Sequence, residues 1–114
     1  MNKDFELFQS HFKKYQQRFG LMGYKVYFKY EPLEESFADF TITQNNMVAT
    51  VRLNSALPDK DKPFKHIKLS AKHEAIHLLL ARLEHRAGSR YLTGEEIDEA
   101  VEELVFKLEE LIAD

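Results

Sequence analysis

Lys72-His73-Glu74-Ala75-Ile76-His77-Leu78-Leu79-Leu80 is the stretch from which the rest of the chain can be read. It holds a His-Glu-x-x-His pattern, and on an α-helix residues four apart stand one above the other on the same face. His73 and His77 can therefore turn two imidazoles toward one point. Zn²⁺ accepts neutral imidazole nitrogens, and its catalytic sites take three protein ligands and keep a fourth position open. Glu74 is one residue further on, a rotation of about 100°. Its carboxylate reaches the open position rather than the ion, which is where a general base is needed.

The setting of the pair matters as much as its spacing. Leu69, Ile76, Leu79, Leu80 and Leu83 crowd the histidine-bearing side of this helix, while Ile67, Ala71 and Leu78 cover another. A helix apolar nearly all round is expected to be buried, and a buried imidazole needs a partner. A metal is the expected partner; two satisfied core histidines are the plainer alternative.

The 114 residues suffice for one domain with a single core, from residue 1 to 114. The apolar share of 44% and charged share of 31% are those of a globular protein. With a net charge of −3, no global basic field argues for nucleic acid or an anionic membrane as partner. The lysines at 60, 62, 65, 68 and 72 form only a local cluster among many acids. Cysteine is absent, which excludes disulfides, a zinc ribbon and thiol catalysis. No apolar leader or membrane-length run is present, so the expected location is cytoplasmic.

Upstream of the histidines, Phe5, Phe8, Phe12, Tyr15 and Phe19 recur at spacings of three and four, predicting a helix with an aromatic core stripe that Gly20 can end. Tyr24 to Tyr30 reads as a strand closed by Pro32. Ala38, Phe40 and Ile42 alternate with polar residues, and so do Ala49, Val51 and Leu53 around their own neighbours. A two-residue turn at Asn45-Asn46 would set Ile42 opposite Ala49, Phe40 opposite Val51 and Ala38 opposite Leu53, making one face apolar throughout. The His-bearing helix is expected from about Phe64 to Glu84, with Pro63 in its first turn. Thr93-Gly94-Glu95-Glu96 has the form of a capping box. It opens a last helix to about Ala113 with Ile97, Val101, Leu104, Val105, Leu108, Leu111 and Ile112 as its stripe. The expected fold class is α+β: an N-terminal helix, a small three-stranded and mostly antiparallel sheet, the central helix and a C-terminal helix.

Two histidines leave a zinc site incomplete. His66 lies nearly two turns from His73, about 10 Å along the helix axis, and His85 sits just past the expected helix end. The last helix offers a row of acids. Glu102 borders the core stripe with Val105 and Phe106 one turn on, so it is the favoured third ligand, with Glu103 and Glu99 as alternatives.

Taken together, His73-Glu74-x-x-His77 on a central helix and Glu102 on a closing helix resemble the small gluzincins. The chain is similar to minimal single-domain gluzincins and to short metallopeptidase-like proteins of phage and bacterial genomes, and more distantly to ImmA/IrrE-type and SprT-like peptidases. The resemblance implies a zincin-like fold and a zinc metallopeptidase acting on a peptide or protein substrate. It implies His73, His77 and Glu102 as zinc ligands and Glu74 as general base. The longer metzincin pattern is absent, because Leu80 is followed by Ala81 and Arg82.

A peptidase of this kind also needs a donor for the oxyanion; Tyr91, with Arg90 and His85, is the candidate between the two helices. Substrate is expected as an added strand along the sheet edge, at Met47 to Leu53. Two other classes compete. One is a non-catalytic zincin-like domain whose metal serves a binding or regulatory module, and the other is a metal-free α+β interaction protein.

Overall fold

The computed structural model of the chain describes residues 2–43, 46–58, 62, 65–87 and 93–112. Helix α1 (Lys3–Arg18) is followed by strands β1 (Lys25–Glu31), β2 (Ala38–Thr43) and β3 (Val48–Asn54), then by helices α2 (Ile67–Ala87) and α3 (Gly94–Leu111). Among the described residues no helix is long and apolar enough to cross a membrane.

Helix α1 starts where Asn2 accepts the Phe5 N–H at 3.1 Å and ends where Gly20 takes a positive φ of 73°. The Leu21 and Gly20 N–H groups return to the carbonyls of Gln16 and Gln17, closing a Schellman motif that only a left-handed residue permits at this position. The aromatic stripe then does what its spacing predicts. Phe8, Phe12 and Tyr15 are fully buried, and Phe8 and Phe12 present edges to Phe28 of β1 at centroid separations of 6.5 and 5.4 Å. Ala49, Val51 and Leu53 of β3 and Ile67, Ala71, Ala75 and Leu78 of α2 complete this core.

The β2–β3 hairpin has the expected register, with Ile42 opposite Ala49, Phe40 opposite Val51 and Ala38 opposite Leu53; Asn45 of its turn lies outside the described residues. The sheet, however, is mixed rather than mostly antiparallel. Its order is β1-β3-β2, with β3 in the centre, parallel to β1 and antiparallel to β2. The chain leaves β1, crosses the end of the sheet by a short loop, and leaves room for β3 to be inserted between its predecessors. Asn54 organises that loop. Its amide, buried at 6% exposure, donates to the carbonyls of Leu33 and Ser36 and accepts from the N–H groups of Leu33 and Ala56, at 2.8 to 3.1 Å.

Helix α2 begins at Ile67, later than the expected Phe64, because the His66 imidazole caps it, accepting the Leu69 N–H at Nδ1 at 3.1 Å. Pro63 lies outside the described residues. The helix is also less enclosed than its composition suggests: Leu69, Leu79 and Leu83 are exposed, while Ala71, Ala75, Ile76, Leu78 and Ala81 are buried. Helix α1, the sheet and α3 pack against it, and solvent takes the remaining side. Helix α3 carries the expected capping box, Thr93 accepting from Glu96 N–H and Glu96 accepting from Thr93 N–H. Ile97, Val101 and Val105 bury against Ile76, whereas Leu104 and Leu111, expected in the same stripe, are exposed.

Replacing Asn54 by leucine removes four hydrogen bonds at once and strands their backbone partners, which should cost about 2–4 kcal/mol. Urea unfolding should show a lower midpoint at unchanged slope. A loss below about 0.5 kcal/mol would mean that the loop holds by its backbone alone.

Candidate metal centre

His73 and His77 lie on the side of α2 that faces α3, and their rings stand 4.9 Å apart between centroids. Phe40 of β2 stacks on His77 at 6.3 Å, and Phe106 of α3 meets His73 edge-on at 5.3 Å. Phe106 is otherwise 56% exposed, so it flanks the site rather than filling the core. Glu102 reaches across from α3, one carboxylate oxygen 2.9 Å from His73 Nε2 and the other 3.1 Å from His77 Nε2.

Two nitrogens and a carboxylate oxygen from these residues all lie within 4.8 Å of one another. Ligand atoms about 2.0–2.1 Å from a tetrahedral zinc stand roughly 3.3 Å apart, so the group can hold a metal ion with small side-chain adjustment. The donor set suits it too, since both imidazoles present the same nitrogen. Burial lowers the His77 pKa; Glu102 opposes this and His73 adds to it. The neutral imidazole so favoured is the form that ligates.

Of the alternatives for the third position, Glu103 pairs with Lys107 on the surface at 2.9 Å, and Glu99 is exposed. His66 is spent on capping α2, and His85 is exposed near the helix end. Tyr91 and Arg90 lie outside the described residues.

Glu74 is only 6% exposed and lines the cleft between β2, α2 and α3, with no hydrogen-bond partner among the described residues. Burial, and after it the negative charges of Asp39, Glu102 and Glu109, pushes its carboxyl up to about 8. A carboxyl held this way keeps its proton at neutral pH, and a positive charge nearby would release it.

Sequence reasoning missed Glu109. Its carboxylate, at 10% exposure, accepts a hydrogen bond from His73 Nδ1, the nitrogen turned away from Glu102. Such a contact fixes the tautomer, with the proton on Nδ1 and the Nε2 lone pair facing the site. Following the Glu102 face of α3 two turns further, by way of Phe106, would have found it. Glu84 and Asp98, also unforeseen, line the far end of the same cleft.

Compared with protein-family models, with curated proteins and with solved structures, the chain matches none. Function must be argued from this site.

Two predictions follow from its geometry. The Glu74 carboxyl titrates near 4.5 when unfolded and about 8 when folded, so the stability it contributes is present below 4.5 and lost as pH rises through 8. Metal-free Glu74→Gln should therefore match wild type near pH 5 and exceed it by about 1–3 kcal/mol near pH 8, read as thermal midpoints across that range. Glu109→Gln should weaken zinc binding about 10- to 100-fold in a chelator competition, where the exposed Glu103→Gln changes nothing.

Proposed function

We propose that the chain is a zinc-dependent metallopeptidase of zincin-like, gluzincin type, with His73, His77 and Glu102 holding the metal and Glu74 as general base. One observation carries the reading: Glu74, buried and unpartnered, opens into the cleft beside a three-residue ligand group that it does not join. A metal held for stability alone has no use for such a residue, which costs the fold free energy.

Two imidazoles and a carboxylate favour zinc among the common divalent ions. Bound there, zinc supplies the positive charge that acidifies a water molecule and polarises a peptide carbonyl. Glu74 takes the proton from the attacking water and passes it to the leaving amine. Glu109 keeps His73 oriented, and Phe40 and Phe106 hold the two imidazole planes.

The expected substrate edge at Met47 to Leu53 is not available, because β3 is the central strand with neighbours on both sides. The free edge next to the site belongs to β2, whose Ala38, Asp39 and Phe40 line the cleft with His73, Glu74 and His77. An extended peptide added there keeps its backbone hydrogen-bonded while one carbonyl passes the metal.

Protein purified without chelator should carry one zinc per chain by native mass spectrometry, and His77→Ala or Glu102→Ala should lose it. Glu74→Gln should retain zinc and lower hydrolysis of unstructured peptides about 10³-fold, followed by mass spectrometry of the products. Zinc held with no hydrolysis of any peptide would overturn the enzyme and leave the non-catalytic metal domain.

A further inference from the structure

The cleft has two walls. Helices α2 and α3 form one and carry His73, His77 and Glu102. The other runs from Ser36 to Phe40, the end of the β1–β2 loop and the start of β2. Ser36 and Ala38 line both of the cavities that meet at His73, Glu74 and Glu102.

Backbone pairing decides what this second wall offers. The Asn54 N–H donates to the Phe37 carbonyl at 2.9 Å, and Asp39 and Thr41 stand opposite Arg52 and Thr50. In an antiparallel ladder, hydrogen-bonded pairs alternate with non-bonded ones. Phe37, Asp39 and Thr41 therefore bond inward to β3, while Ala38 and Phe40 turn their N–H and C=O groups to the free edge. Both of these residues line the cleft.

Where Ala38 falls depends on the loop before it. Glu34, Glu35 and Ser36 are exposed, so side-chain burial does little to fix their course. Asn54 fixes it instead. Its amide nitrogen donates to the Leu33 carbonyl at 3.1 Å and to the Ser36 carbonyl at 2.9 Å. Its oxygen accepts from the Leu33 and Ala56 N–H groups at 3.1 and 2.8 Å. With the main-chain bond to Phe37, one residue of the central strand holds Leu33, Ser36 and Phe37 in turn on the approach to β2. Asn54 lines neither cavity at the histidines, so its effect on the site passes through the backbone it holds.

We propose that Asn54 is a positioning residue for peptide binding: it sets the sheet-side wall of the cleft, so that Ala38 and Phe40 present their outward peptide groups to a substrate strand beside His73 and His77. The assignment rests on the peptidase reading above and adds to it the residue that fixes the substrate's edge. Edge hydrogen bonds are made in ground state and transition state alike, so losing them raises KM and leaves kcat. A merely destabilising change does the reverse, lowering apparent kcat with the folded fraction at constant KM.

Asn54→Asp keeps the two acceptor contacts and loses both donations. Assayed on an unstructured peptide well below its unfolding midpoint, it should raise KM about tenfold and change kcat by less than about twofold. Zinc affinity in a chelator competition should not change. In a zinc-loaded Glu74→Gln background the same peptide, fluorescently labelled, should bind about tenfold more weakly by anisotropy. Phe12→Leu, a core change on α1, is the control and should leave KM where it is. Backbone amide exchange needs no change at Asn54. In zinc-loaded Glu74→Gln protein the Ala38 and Phe40 amides should exchange freely alone and slow at least about tenfold under saturating peptide, with the Leu33 amide protected throughout. An unchanged KM in Asn54→Asp, or a fall in kcat alone, would overturn the proposal and leave the peptidase reading standing. So would Ala38 and Phe40 amides that bound peptide does not protect. Failure of the wild-type protein to bind or cleave any peptide would count against both.

Discussion

A single carboxylate touching two imidazoles sets the geometry on which this molecule's chemistry depends. Glu102 can do so only if α3 is held against α2 in one register, and three devices on the two helices hold it. Ile76, Ile97, Val101 and Val105 form the apolar seam between them. The capping box at Thr93 and Glu96 fixes where α3 begins. At the other end Lys72, almost fully buried, donates to the Ile112 carbonyl at 3.0 Å. Burying an ammonium is costly, and the carbonyls at a helix C-terminus are among the few neighbours that offset it. Lys72 immediately precedes His73, so the residue that anchors the end of α3 and the first candidate ligand move as one piece.

The site itself concentrates cost. Glu74 is buried without a partner among the described residues, in a ring of like charges, while other polar groups of the fold are answered. Asn54 satisfies the β1–β2 loop, and Gln16 donates to the carbonyls of Leu21 and Tyr24 after α1. The contrast locates function better than any one residue does, because a fold that hydrogen-bonds its interior amides elsewhere has left this carboxyl bare in the cleft. Stability given up at a cleft is a usual mark of a working group.

How much of this was legible follows from which signals are local. The hairpin register could be read because a one-residue slip would turn Phe40 and Val51 to the wrong face. The α1 stripe and the Thr93 box are likewise contained in a few residues each. Parallel pairing of β1 with β3 was not legible, since alternation shows which face a strand buries and says nothing of its neighbour. The exposure of Leu79, Leu83, Leu104 and Leu111 was equally hidden: apolar content counts what could be covered, and the described residues place no layer over these. In the site, His73, Glu74 and His77 came from spacing alone, and Glu102 from its place at the edge of the α3 stripe. Glu109, Glu84 and Asp98 acquire meaning only once two helices are laid side by side.

The sheet contributes to the site through its polar face as well as its edge. Asp39 sits on β2 beside the cleft, and its charge is the largest electrostatic influence on Glu74 after burial. Left bare, it would crowd a cleft already holding Glu102 and Glu109. Arg52, directly opposite on β3, bonds Asp39 through two nitrogens and reaches Glu31 on β1 at 3.0 Å with a third contact. One guanidinium on the central strand therefore ties all three strands together on the solvent side. Its hold on Asp39 also settles which acids of the cleft are free to meet a ligand. Because β3 lies in the middle, it can reach both neighbours; because β2 lies outside it, an edge remains beside the histidines. The strand order thus decides both which edge stays open beside the cleft and which charges line it.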